Sequence, residues 1–230
     1  MSGAIKAASK MWLTVRRSAR DMIEDCRAVA ATEFVFIVPL MLTLLFGTVE
    51  FASGLAVDRK VTLIARTLAD LPSQAASNSG TSISAAVDDS YLKNVFTASI
   101  AIMNPYSPTP TSAQLSQVYV DSTGKATVQW SKAATISSGA TQATLVASAP
   151  PLPIRNPGDD VTNNLPPQLL VKRTYLIWSE VSYLYTPVGI GYVMKSKVTL
   201  KDVGFSRPRN ATCVIYNNLP ANNPGPCPTP

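Results

Sequence analysis

The strongest hydrophobic pattern in the chain is an apolar run near its beginning. Residues 34–49 are 16 positions without a charge, and Glu33 and Glu50 stand at the two ends of this run. With its mostly apolar flanks the run extends over residues 29–57, which is long enough for a membrane-spanning helix. A carboxylate costs least near the border of a membrane, so an interfacial position is one interpretation of both glutamates.

A helical periodicity continues beyond the apolar run. Apolar residues then recur in steps of four and three, the spacing of one helix face. They are Val57, Val61, Ile64, Leu68 and Leu71. The pattern predicts that the helix continues to Leu71, where Pro72 ends it. Residues 58–72 would form an amphipathic extension whose apolar face needs a partner, either the chain's own domain or a neighbouring molecule.

The remaining pattern predicts one helix and at least four strands. Residues 83–104 read as a helix that ends before Pro105, and a Pro-rich crossing follows at 149–168. Alternating apolar positions predict a hairpin over 116–131, in which Ala126, Val128 and Trp130 share one face, and two further strands. The further strands lie within 172–189 and 196–209. These elements predict an α+β fold for residues 73–230, an antiparallel sheet packed by a helix.

Charge is concentrated before the apolar run. Residues 1–27 hold six Lys/Arg against three acids, within a chain whose net charge is +6. A basic leader of this kind places the N-terminus in the cytoplasm and the following domain outside. A secreted binding module released by signal peptidase is the rival interpretation, but the acids in the leader and the poor cleavage site disfavour it. No basic stripe with aromatic residues follows residue 60, so we expect no nucleic-acid partner.

Candidate catalytic chemistry is sparse. The sequence contains no histidine, which excludes Ser-His-Asp catalysis and imidazole metal sites. Asp159 and Asp160 lack the ligand spacing of a calcium loop, so we interpret them as a turn. We therefore expect no catalytic residue, no cofactor and no metal. A membrane-anchored enzyme stays open as an alternative, with a cleft around Glu180, Asp202 or a Ser–Lys pair.

The three cysteines divide by position. Cys26 precedes the apolar run, whereas Cys213 and Cys227 follow it and are separated by 13 residues in a proline-rich tail. If the tail lies outside the cytoplasm, a Cys213–Cys227 disulfide is chemically reasonable. Three unrelated free thiols are the alternative.

A family resemblance rests on two stretches that follow the basic leader. "RAVAATEFVFIVPLMLTLLFGTVEFA" and "RKVTLIARTLADL" lie within residues 26–71. Together they resemble the TadE/TadG-like proteins of tight-adherence (Tad) pilus systems, which are pilin-like, single-pass membrane proteins. The resemblance implies a minor pilin-like or assembly component in the inner membrane. It implies other pilin-like subunits, the pilus secretion platform and a prepilin peptidase as partners.

The resemblance also implies a role for Glu33. In such proteins this glutamate is the fifth residue after a prepilin-peptidase cut, which here would fall between Ala28 and Val29. The family pattern has glycine where Ala28 stands. After cleavage the new amine of Val29 would pair with Glu33 of a neighbouring subunit and fix the register between the two chains. Glu50 receives no such role.

Overall fold

A computed structural model describes residues 26–76, 84–187 and 197–216, and the side chains of 30–76, 85–187 and 197–216. The described residues belong to two compact units, one within residues 1–51 and the other within 52–230. The fold is α+β, as the sequence predicts: a long apolar helix is followed by an antiparallel sheet and a second helix.

The first element is a continuous helix, α1, which spans Cys26–Ser73. It ends one residue after Pro72 rather than before it. Two residues near the C-terminal end of the described chain hold this helix end. The backbone N–H of Arg209 donates to the carbonyl of Ser73 at 2.8 Å. The side-chain amide of Asn210 donates to the carbonyl of Gln74, also at 2.8 Å. These contacts satisfy backbone acceptors that the helix leaves without a partner at its end.

The main sheet has five strands, which are β2 (Thr111–Val120), β3 (Ala126–Ile136), β4 (Thr144–Val146), β5 (Thr174–Tyr185) and β6 (Val198–Ser206). They are antiparallel and lie in the order β4-β3-β2-β5-β6. The predicted hairpin and the two further predicted strands are confirmed. The sequence did not predict β4, a three-residue strand whose residues are exposed or half-buried and give almost no alternation.

The hairpin departs from simple alternation at a bulge in β3. Val128 pairs with Val118 but Trp130 pairs with Gln117, so Gln129 is an extra residue on β3. The prediction that Val128 and Trp130 share a face is therefore wrong, because the extra residue reverses the alternation. Val128 packs in one core and Trp130 in the other.

The two faces of the main sheet are covered by different parts of the chain. On one face residues 52–73 of α1 and the second helix, α2 (Asp89–Met103), form the larger core. On the other face the Pro-rich crossing covers a smaller core and contributes Val161 and Leu165. The apolar stripe of the helix extension thus finds its partner within its own domain, which settles an alternative that the sequence left open.

A second, two-stranded sheet corrects the prediction for residues 83–104. The chain is extended over β1 (Ser84–Val87), which pairs in parallel with β7 (Cys213–Tyr216), and α2 begins only at Asp89. The side chain of Asp88 caps α2 by accepting from the N–H of Tyr91 at 2.7 Å. The partner strand lies more than a hundred residues away in sequence, so the local pattern could not indicate it.

Side chains of the main sheet complete the hydrogen bonding of β7. The indole N–H of Trp130 donates to the carbonyl of Val214 at 2.7 Å, and the N–H of Val214 donates to the side-chain oxygen of Gln117 at 2.7 Å. All three residues are buried. Because unpaired backbone groups are costly in a core, these two side chains act as the partner strand that β7 lacks on this edge.

Candidate membrane and assembly helix

Residues 30–51 of α1 present large apolar side chains to the surroundings. Phe36 is 79% exposed and Phe51 74% exposed, and all the other large apolar residues of this stretch except Val38 are exposed too, from Leu42 at 45% to Phe34 at 66%. Exposing each such side chain to water forgoes roughly 1.5–3 kcal/mol of transfer free energy. A continuous row of them is typical of a helix that lies in hydrocarbon or against other helices.

Two threonine hydroxyls of this stretch donate hydrogen bonds to the backbone of the same helix. The hydroxyl of Thr43 donates to the carbonyl of Pro39 at 2.7 Å, and that of Thr48 donates to the carbonyl of Leu45 at 2.9 Å. Internal bonding of this kind is what a segment without access to water requires. Among the described residues, α1 is the one helix long and apolar enough to cross a membrane, judged by length and composition.

The sequence-predicted processing and assembly residues lie in the first turns of the same helix. The Ala28–Val29 bond is within α1, and the side chains of these two residues are outside the described set. Glu33 is exposed, whereas Glu50 is half-buried. Cleavage at Ala28–Val29 and the pairing of Glu33 with a neighbour stay predictions.

Residues 52–73 of α1 are fixed by close contacts with the domain. Gly204 of β6 lies directly against the carbonyl of Ala65, and the hydroxyl of Ser179 donates to that same carbonyl. The ammonium group of Lys60 donates to the carbonyls of Ile102 and Asn104, both at 2.8 Å, at the C-terminal end of α2. A cation there is favoured by the helix dipole. This part of α1 is thus held in one position and orientation against the domain.

The outer face of the same stretch makes no such contacts. Leu55 is 44% exposed and Leu63 is 52% exposed. Asp58, Arg59 and Arg66 are exposed and form no hydrogen bond or ion pair with the part of the chain that the structure describes. The sequence places Arg59 and Arg66 off the buried stripe, but sequence analysis assigned no function to these three residues.

The carboxylates considered for catalysis have structural partners. Glu180 accepts two hydrogen bonds from the Arg155 guanidinium, at 2.7 and 2.8 Å, and both side chains are largely buried. The guanidinium also stacks 3.7 Å from the ring centre of Trp178. Asp202 accepts from the N–H of Val203 at 2.7 Å. The structure does not bring Glu180 and Asp202 together as an acid–base pair, because their side chains are engaged separately.

The acidic pair in the Pro-rich crossing shapes a turn, as the sequence predicts. Asp159 accepts from the N–H of Asn156 at 2.6 Å, and Asp160 accepts from the N–H and hydroxyl of Thr162 at 3.0 and 2.7 Å. These bonds from Thr162 lower the pKa of Asp160 below its usual value. Within the described ranges no three His, Cys, Asp or Glu side chains come together as a metal site.

Cys213 is buried at the start of β7 and is disulfide-bonded. Cys227 and the side chain of Cys26 lie outside the described residues. The Cys213–Cys227 pairing therefore stays a prediction.

Comparison with known proteins finds a similarity along the first helix. The family model described as "TadE-like protein" matches residues 28–70, which is 43 of the 230 residues. These residues are similar to those of TadE-like proteins. The segment includes Glu33, the exposed apolar stretch and most of the stripe that packs on the domain. The TadE-like match and the apolar helix support membrane anchoring and association with Tad pilus components. No curated protein and no solved structure matches the chain.

Proposed function

We propose that the chain is a minor pilin-like or assembly component of a Tad-type pilus, which acts through helix packing and protein contacts rather than catalysis. The observation that carries the proposal is the TadE-like match over a helix with exposed apolar side chains along residues 30–51. Its partners would be other pilin-like subunits and the secretion platform, with a prepilin peptidase where the leader is cleaved. The engagement of Glu180 by Arg155 supports a structural role for that carboxylate over a catalytic one.

The proposed topology is single-pass in the inner membrane. Residues 1–27 would be a cytoplasmic leader, 28–57 the transmembrane helix, 58–72 its amphipathic extension and 73–230 the domain outside the cytoplasm. A phosphatase that is active only outside the cytoplasm, fused after residue 230, should be active. A stable but inactive fusion would overturn this orientation.

Two measurements on protein from the envelope bear on processing and location. The N-terminal residue should be Val29 if a prepilin peptidase cuts after Ala28. Met1 would indicate an uncut anchor, and a residue beyond Gly47 would indicate secretion.

Mass spectrometry of non-reduced peptides should find Cys213 linked to Cys227, and finding both alkylated would contradict the disulfide.

The substitution Glu33→Gln tests the assembly role directly. If Glu33 pairs with the Val29 amine of a neighbour, the substitution leaves an ammonium group buried and unpaired, at a cost of about 3–5 kcal/mol per contact. We expect the variant to insert in the membrane normally, because glutamine makes the segment no more polar, but to lose co-purification with pilin-like partners. Ala28→Lys, which should block cleavage, ought to reproduce the defect.

Glu50→Gln is the matched control for this experiment, since it removes a carboxylate at the other end of the same apolar run. It should co-purify as the unsubstituted protein does. Full recovery of partners with Glu33→Gln would refute the pairing and leave Glu33 as an interfacial carboxylate.

A further inference from the structure

Contacts with the second half of α1 show which end of the domain lies nearest the apolar part of the helix. Tyr185, at the end of β5, lies against Gly54, where an added Cβ atom would be 3.6 Å from its ring. Ser206, at the end of β6, lies beside Ser73, with 3.1 Å between their hydroxyl oxygens. The end of the sheet at which β5 stops and β6 starts is therefore level with Gly54, and the other end of β6 is level with Ser73.

Gly54 lies at the depth of the lipid headgroups in the proposed topology. It stands four residues after Glu50, where the uncharged run ends, and four residues before Asp58, the next charged residue. Four residues of helix rise about 6 Å, and the headgroup layer is roughly 5–8 Å thick on each side of the hydrocarbon. With Glu50 at the inner border of this layer, Gly54 lies within it and Asp58 beyond it. The parts of the domain beside Gly54 are thus at the membrane surface.

Three described segments form this end of the domain, and we call them the membrane-near rim: residues 104–110, 184–187 and 197–199. The first follows α2, whose C-terminal carbonyls accept from Lys60, and the carbonyl of Ser107 accepts from the hydroxyl of Tyr183 at 3.0 Å. The other two segments meet where Val198 pairs with Tyr185 across β5 and β6. The rim is therefore held together by contacts with α1 and with the sheet.

The charge of the membrane-near rim suits a lipid surface. Its three segments contain no carboxylate, and their one charged side chain is that of Lys197, which is exposed. The ammonium group of Lys197 forms no hydrogen bond or ion pair with the part of the chain that the structure describes. Along β6 the first carboxylate is that of Asp202, four residues or roughly 13 Å beyond Val198. Asp121 and Asp160 lie near the far ends of β2 and β3. Phosphates attract ammonium groups and repel carboxylates, so this distribution fits contact with phospholipid.

Val198 adds an apolar side chain next to Lys197. It is 47% exposed, and an exposed valine alone needs no explanation. A valine beside a lysine, at the level of the headgroups, can place its methyl groups against lipid while the lysine reaches a phosphate. The adjoining turn of α1 has the same excess of positive charge, since Arg59 and Lys60 stand beside one carboxylate, Asp58.

We propose that the membrane-near rim rests on the outer surface of the membrane, with Val198 among the lipid headgroups and Lys197 bound to lipid phosphate. The inference rests on the proposed function in one respect, since that topology places Gly54 in the headgroup layer. Contact through the rim as well as through α1 holds the domain in one orientation on the membrane. The β2–β3 turn, at the other end of the sheet, then points away from the membrane.

Fluorescence quenching of the full chain in nanodiscs tests the contact, with a phospholipid that carries a nitroxide on its headgroup as the quencher. Val198→Trp should lose a large part of its added fluorescence. Val203→Trp is the matched control, because Val203 is on the same strand, is also 47% exposed and lies five residues, or roughly 17 Å, farther from the rim. It should lose little. Phe51→Trp, in the exposed apolar stretch, should be quenched whatever the domain does. The unsubstituted protein gives the contribution of its own three tryptophans.

Neutralising Lys197 in the Val198→Trp protein tests the phosphate contact. In nanodiscs of anionic phospholipid, Lys197→Gln should lower the ratio of bound to unbound rim about fivefold, which appears as weaker quenching. Lys201→Gln removes the same charge from an exposed position four residues along β6, roughly 13 Å away and beyond the Debye length of about 8–10 Å. It should leave the quenching as it was. Unchanged quenching in Lys197→Gln would refute the phosphate contact.

Three results would overturn the inference: weak quenching of both β6 variants, which places the rim clear of the membrane; strong quenching of both, which lays the whole strand on the membrane; and a Val198→Trp that is protected from aqueous acrylamide but not quenched by lipid, which indicates that a second copy covers it. Phe51→Trp separates these failures from failure of the proposed function. If it is quenched in the same samples, the membrane segment stands and only the rim contact is wrong, whereas an unquenched Phe51→Trp would refute the membrane segment and the rim contact together.

Discussion

Replacing Gly204 with alanine should destabilise the domain, because this glycine is the point of closest approach between β6 and α1. A Cβ atom at this position would overlap the carbonyl oxygen of Ala65 and would lie 2.6 Å from both the carbonyl carbon of Ala65 and the hydroxyl of Ser179. Carbon atoms in contact prefer about 3.5–4.0 Å, so β6 and α1 would have to separate by roughly 1 Å.

The expected magnitude follows from three contributions. Overpacking a rigid core costs about 1–3 kcal/mol. Separation also weakens the buried hydrogen bond from Ser179 to Ala65, which contributes about 0.5–1.5 kcal/mol. Alanine in a strand interior is more favourable than glycine by roughly 0.5–1 kcal/mol, which offsets part of the loss. We expect Gly204→Ala to lower the free energy of unfolding by about 2–3 kcal/mol, or Tm by roughly 5–10 °C.

Gly54→Ala is the matched control, since it adds the same methyl group to a glycine at another packed position. There the nearest atom to the added Cβ would be Cε1 of Tyr185 at 3.6 Å, an ordinary contact. Gly54 lies inside α1, where alanine is favoured by roughly 1 kcal/mol, so this variant should be more stable than the unsubstituted chain.

Unfolding by urea, followed by tryptophan fluorescence of the full chain in nanodiscs, measures both variants. The two substitutions should shift the midpoint in opposite directions. A Gly204→Ala protein as stable as the unsubstituted chain would show that α1 and β6 do not approach as closely as the structure describes, and would refute the reasoning.

Three further predictions concern the domain. Trp130→Phe removes the donor to the buried carbonyl of Val214 and should lower the free energy of unfolding by about 1–3 kcal/mol in the same urea assay; an unchanged midpoint would contradict this role. Arg155→Met leaves Glu180 buried and unpaired and should cost about 3–5 kcal/mol, which adding Glu180→Gln should partly restore; a double variant no more stable than the single one would count against the ion pair. Burial raises the pKa of Tyr175 well above its usual value of about 10, so the folded state holds this proton more tightly than the unfolded state. The resulting stabilisation is fully present below pH 10 and declines above it, and a pH series of urea midpoints should show a smaller alkaline decline for Tyr175→Phe.

The parts of the fold that could be predicted from sequence are those set by local spacing. The stripe that starts at Val57 and Val61 identifies a helix because each turn repeats the same burial. The aromatic and β-branched residues around Ile177 identify β5 because such residues favour strands, although both faces of this strand are buried. β1 could not be predicted, since four residues such as Ser84–Val87 become a strand only when β7 provides hydrogen-bond partners from the other end of the chain. The bulge at Gln129 was hidden because one extra residue leaves both halves of β3 with regular alternation.

In the candidate membrane and assembly helix, too, some features could be predicted from the sequence and others could not. The exposed apolar stretch of α1 was predictable, because an uninterrupted run of apolar residues predicts a membrane-spanning helix whatever the rest of the chain contains. The significance of Asp58 and Arg66 was not, because a charged residue on a helix becomes informative only when the structure shows that its own domain gives it no partner. Leu55 and Leu63 show this most clearly. In the sequence they belong with the many leucines of the helix, and only the packing of α1 against β6, which turns other positions inward, leaves them on the outer face.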